Sequence, residues 1–181
     1  MSQESVQAAL VTTIDSIKQN PASSSVVFRA ETQWVEDVRC SATVRNFAPM
    51  TIDEPPELGG QDAAVNPVEL VLVALGTCQE IMYAAYASVM GIKLDAVKVN
   101  VRGYLDLKGL LGMDDSIPAG YKRIKFETEI QSPASDEELT KLIEMVESHC
   151  PVLDILSTAQ QVTGTARANG KQLVTLDKNA A

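Results

Sequence analysis

The chain has 181 residues, 45% of them hydrophobic and 22% charged, which is the composition of an ordinary single globular domain and excludes a disordered one. Fifteen Lys and Arg stand against 24 Asp and Glu, a formal charge of −9 with no run of five basic residues, so neither nucleic acid nor an anionic membrane is expected as the main partner. The longest apolar stretch, Val68 to Leu75 with Glu69 set aside, falls well short of the ~18 residues of a membrane helix, and Met-Ser-Gln-Glu-Ser lacks the basic and apolar regions of a signal peptide.

Val6, Leu10, Ile14 and Ile17 recur at helical spacing and Asn20-Pro21 supplies a stop, so residues 1–21 are read as an N-terminal helical extension and 22–181 as the main domain. After the polar linker Ala22 to Ser25 the period changes to two from Val26. In Arg39 to Arg45, the residues Cys40, Ala42 and Val44 share one side and Arg39, Ser41, Thr43 and Arg45 the other, which predicts a strand with one wet face. Met50 to Ile52 predicts a third short strand. Asp53 to Gly60 holds two prolines and two glycines and predicts a loop. Asn66 as cap, Pro67 at the first position and Glu69 in the first turn open a long helix that Gly91 ends. That helix is apolar all round over Leu70 to Leu75, as a buried central helix would be.

Val97, Val99 and Val101, and then Ile124, Phe126, Thr128 and Ile130, alternate with charged residues as two strands, joined by a glycine- and aspartate-rich loop over Lys108 to Gly120 that suits a lid or an interface. Ser135 to Glu138 is a capping box for a helix with Leu139, Leu142, Ile143 and Val146 on its inner stripe. Pro151 opens a further short helix and places Cys150 near its N-cap. Gln160 to Ala168 and Gln172 to Leu176 form a terminal strand or a hairpin around Asn169-Gly170. Helices and strands come in blocks, so the expected class is α+β.

Three cysteines carry the candidate chemistry, and their small odd number fits free thiols in a reducing, cytoplasmic compartment. Cys78, inside a buried helix, is read either as a small core residue or as a reactive thiol. Cys150 sits where unpaired N–H groups at a helix start would favour a thiolate, and equally where a buried connection joins two helices. Cys40 reads as packing. His149 is the one histidine; beside Cys150 it points elsewhere along the chain, and no CxxC or HxxxH spacing indicates a metal. Neither a nucleophile elbow nor a phosphate-binding loop is present.

Glu57-Leu-Gly-Gly60, then Asn66-Pro67-Val68-Glu69-Leu70, then a helix carrying Ala74-Leu-Gly-Thr-Cys78, with Cys150-Pro151-Val152 after a capped acidic helix, resembles the OsmC/Ohr family of thiol-dependent hydroperoxide reductases, in its general OsmC-like branch. The likeness covers roughly 26–162. It implies an intertwined homodimer with curved, antiparallel-rich sheets around long central helices and active sites across the interface. It implies Cys78 as the peroxidatic thiol, Cys150 as the resolving thiol, and Glu57 as the family glutamate. Arg45, with Arg39 second, would be its arginine, and the walls near Leu75 and Met82 would take an organic hydroperoxide. An external dithiol would reset the cycle without metal or other cofactor. The alternative is a dimeric small-molecule-binding or redox-sensing protein of the same fold, and the first helix is extra to the core pattern.

Overall fold

The computed structural model describes residues 2–178. In chain order it contains α1 (Gln3–Gln19), β1 (Glu31–Glu36), β2 (Arg39–Thr43), β3 (Met50–Ile52), α2 (Pro67–Met90), β4 (Ala96–Leu105), α3 (Leu107–Leu110), β5 (Tyr121–Gln131), α4 (Asp136–His149), α5 (Pro151–Ser157), β6 (Val162–Ala168) and β7 (Lys171–Lys178). The strands form three antiparallel sheets: β1-β2-β3, β4-β5, and the hairpin β6-β7. The blocked order of helices and strands gives the mixed α+β architecture that the pattern predicts.

α2 organises the molecule. Asn66 accepts from the Glu69 N–H and the Glu69 carboxylate accepts from the Asn66 N–H, each at 2.9 Å, so two orphan donors of the first turn are satisfied at once. Pro67 occupies the first helical position, and Gly91, at φ +70°, closes the helix in a conformation that side chains disfavour. Leu75, Gln79, Tyr83 and Ala87 recur every fourth residue and are all buried. Tyr83 and Ala87 join Ile92, Leu142 and Val146 in the main core, with Met82, Tyr86, Leu139 and Ile143 packed around it.

The opposite side of α2 departs from expectation. Val73 is 50% and Ile81 66% exposed, because α1, α4, α5 and β4 all lie against the other faces. The helix is apolar all round, but the chain covers only part of it. α2 is also long and apolar enough, by length and composition, to cross a membrane, although no uninterrupted apolar run reaches that length. Glu69, Gln79 and Glu80 interrupt the run without lowering the average enough to matter. Its contacts with α1, α4 and β4 are those of a core helix.

The β4-β5 ribbon is pinned to α2 at both ends. The Tyr121 ring lies on Gly103, where any Cβ would collide with it, and its hydroxyl donates to the Val68 carbonyl at 2.9 Å. Farther along, the Val99 N–H donates to the Glu80 carboxylate at 3.2 Å. The 108–120 segment begins in the four-residue turn α3, with Leu111 and Met113 exposed. α1 lies along α2 and is tied down by Gln3 Nε2, which donates to the Ile92 carbonyl at 2.7 Å.

The first sheet differs from the pattern in two respects. Strand pairing begins at Glu31 and not at Val26, and Phe28 is 90% exposed. β2 is the central strand, half-buried on both faces, so it has no single wet side. Every residue of β1 and of β7 is exposed, with Trp34 and Leu173 among them.

Candidate functional site

The two later cysteines meet. Cys78 lies midway along α2, and Cys150 ends α4 and caps α5, so the packing of α2 against the α4-α5 corner brings the two thiols close enough for Cys150 to raise the Cys78 pKa. Cys150 is buried at 1% exposure, whereas Cys78 is half-buried. The sequence assigns the α5 N-terminus to Cys150, but its Val152 N–H points to the Cys78 sulfur instead. That contact pulls the Cys78 pKa down; burial, the largest effect, and the neighbouring Cys150 outweigh it, leaving the thiol above its ordinary value. All three cysteines are free, and Cys40 stands apart on β2, opposite Trp34 and Ile52.

Arg45 and Glu57 are not brought to the thiols within one chain: among the described residues neither has a hydrogen bond or ion pair to Cys78 or Cys150. Arg45 is exposed in the left-handed region, φ +52°, with its guanidinium 4.6 Å from the centre of the Phe47 ring. Glu57 is exposed in a short turn, Pro56–Leu58. Arg39 is committed elsewhere, to Glu36 at 3.1 Å, Gln61 at 3.0 Å and Asp53 at 3.5 Å. His149 is engaged with the Met145 carbonyl at 2.9 Å and the edge of Tyr86.

Two residues matter here that sequence reasoning passed over. Asp53, 2% exposed, accepts from the Gln61 and Ala63 N–H groups at 3.2 and 3.1 Å and so closes the Pro/Gly loop on itself. An Asp ahead of Glu-Pro-Pro is a turn signal that the pattern carried. Gln79, fully buried next to Cys78 in the chain, was legible as the polar break in the Leu75–Tyr83 stripe.

Leu75 lines a cleft of about 290 Å³ with Ile124, Phe126, Leu153 and Leu156, between the helix that bears Cys78 and the helix that follows Cys150. Met82 packs against the main core. Among the described residues no group of three or more His, Cys, Asp and Glu side chains gathers as metal ligands. The arrangement offers two neighbouring thiols and, lined by neither of them, a cleft whose apolar side chains are joined by Lys122 and Arg123.

A family profile described as OsmC-like protein matches residues 59–164. A hydroperoxide reductase of Mycoplasma genitalium is 27% identical over 121 residues, covering 67% of this chain and 80% of that protein. Among solved structures, an OsmC-like protein of Mycoplasma pneumoniae superposes with a TM-score of 0.61 at 22% identity, over 73% of this chain and 88% of the other. An organic hydroperoxide resistance protein, OsmC, of Legionella pneumophila superposes with a TM-score of 0.54 at 20% identity, over 72% and 89%. The two structural likenesses speak for the fold alone.

Proposed function

Because the chain belongs to the OsmC-like protein family, we propose that it is an oxidoreductase that reduces organic hydroperoxides through Cys78 and Cys150. The observation that carries this reading is the closeness of the two thiols, brought together from separate elements so that Cys150 raises the Cys78 pKa. Its relative in Mycoplasma genitalium bears the name hydroperoxide reductase. The Cys78 thiolate attacks the hydroperoxide, an S–O bond forms as the O–O bond breaks, and the alkoxide takes a proton and leaves as an alcohol. Cys150 then attacks the sulfenic sulfur, and the S–S bond forms as water departs. An external dithiol restores both thiols by exchange, and no metal or other cofactor enters the cycle. The apolar side chains of the cleft at Leu75 (Ile124, Phe126, Leu153 and Leu156) suit an organic peroxide better than hydrogen peroxide.

The thiolate needs a cation, and among the described residues of one chain none acts on Cys78. A homodimer answers this need and also covers Val73, Ile81 and the bare strands of β1 and β7. Arg45 is stacked on Phe47 without a carboxylate partner among the described residues, and Glu57 is likewise unpaired, so both are available to a second copy. Free thiols in an acidic chain fit a cytoplasmic place of action.

The test is peptide mass spectrometry of the reduced protein after one equivalent of an organic hydroperoxide. A rapid Cys78–Cys150 disulfide within one chain, with Cys40 still free, supports the reading; equal and slow oxidation of all three thiols overturns it. The raised pKa of Cys78 favours a second reading, a dimeric binding or redox-sensing protein without efficient turnover. Under that reading Cys78 still titrates high in the assembled protein.

A further inference from the structure

Gln79 is 0% exposed, yet neither its Nε2 nor its Oε1 has a hydrogen-bond partner. The Thr128 hydroxyl on β5 is in the same condition. It lies beside the Tyr83 hydroxyl, one turn along α2 from Gln79, without completing a well-formed hydrogen bond. An amide in this layer costs the native state stability, whereas Met would fill the same volume at no such cost. Buried polar groups left open in this way hold ordered water or serve a reacting group.

The surroundings indicate which group it serves. Leu75 and Tyr83 flank Gln79 on one stripe of α2. Leu75 lines one cleft with Leu153 and Leu156 of α5, and Tyr83 shares the main core with Val146 of α4. Gln79 between them therefore faces the intervening segment, which carries Cys150. The Cys150 side chain is 1% exposed, so bulk water does not reach the proton it must give up when it attacks.

Resting on the peroxidase reading above, we propose that Gln79 is a positioning residue for the resolving step: with Thr128 it holds a water that hydrogen-bonds the Cys150 thiol and passes its proton on. In that step the Cys150 and Cys78 sulfurs join, the S–O bond of the sulfenic acid breaks, and the proton of Cys150 neutralises the departing hydroxide to water. The hydroperoxide has already supplied the oxidising equivalents, so no further oxidant is needed.

Gln79→Met separates the two steps. With one equivalent of an organic hydroperoxide, Cys78 should be oxidised at the wild-type rate. Disulfide formation should slow about tenfold, the effect of one hydrogen bond, and dimedone should trap the sulfenic acid that accumulates. The melting temperature should stay near the wild-type value, because an apolar side chain of similar volume replaces the buried amide. Thr128→Val should show the same partition, and a crystal structure of the reduced wild-type protein should place an ordered water within hydrogen-bond distance of the Gln79 amide. A wild-type disulfide rate in Gln79→Met, or a Gln79 amide with no water beside it, overturns the inference and leaves the peroxidase reading intact. If the wild-type protein forms no Cys78–Cys150 disulfide at all, the peroxidase reading falls and takes the inference with it.

Discussion

The guanidinium of Arg39 stands 3.5 Å from the buried carboxylate of Asp53 and so joins the β1-β2 turn to the Pro/Gly loop that follows β3. The Ala63 N–H does most to hold the Asp53 carboxyl below the usual carboxylate range; the Gln61 N–H and the Arg39 charge act the same way, against a desolvation that pushes it up. A carboxyl whose folded pKa lies below its unfolded value stabilises the native state above about pH 4, and that contribution is lost as pH falls through the folded value. Asp53→Asn should therefore melt lower than wild type at pH 7, with the gap closing towards pH 3. A gap that stays constant over that range would assign Asp53 a packing role only.

Exchange of the two thiols tests their order of action. Cys78→Ser should lose peroxide consumption altogether. Cys150→Ser should react once per chain and stop at a sulfenic acid that dimedone captures. Full turnover in Cys78→Ser would reverse the assignment of roles.

Arg45 and Glu57 are tested through the reactivity of Cys78 in the assembled protein. An opposite charge within contact distance lowers a thiol pKa by about 1–3 units, so Arg45→Ala should shift the pH midpoint of Cys78 alkylation upward by about one unit or more. Glu57→Ala should slow turnover and leave the melting temperature unchanged, because an exposed loop carboxylate adds little to folding. An unchanged alkylation profile in Arg45→Ala would return attention to Arg39.

The start of α2 is testable by stability alone. Asn66→Ala removes the cap acceptor of the Glu69 N–H and should cost about 1 kcal/mol. Gly60→Ala should cost more, since a Cβ there would overlap the backbone of Glu54, and denaturant titration will rank the two.

Local chemistry was the legible part of this molecule. The capping boxes at Asn66 and Ser135, the stop at Gly91 and the Asn169-Gly170 turn, with both residues at positive φ, stand where the residues indicate. Such signals act over three or four residues, so one sequence contains them whole. The exposed side of α2 was not legible: Val73 and Ile81 are as apolar as Leu75, and only tertiary packing decides which of them the chain covers. The Val152 N–H gave the same difficulty. The residues mark a helix start at Cys150, but which sulfur its N–H groups act on depends on how α5 sits against α2. The alternation in the sequence treats Arg39 and Arg45 alike, but β2 ends at Thr43, and the buried Asp53 separates the two by taking Arg39.

β1 and β7 leave both of their faces bare, and a strand in that condition orders its backbone with no burial to offset the lost entropy. On the dimeric reading, the outer sheets fold in the same event that joins two copies, while the α2-α4 core stands independently of it. Thermal unfolding should then depend on protein concentration, with a midpoint that climbs as the protein is concentrated, and dilution alone should loosen the strands that carry Trp34 and Leu173 before it reaches Tyr83.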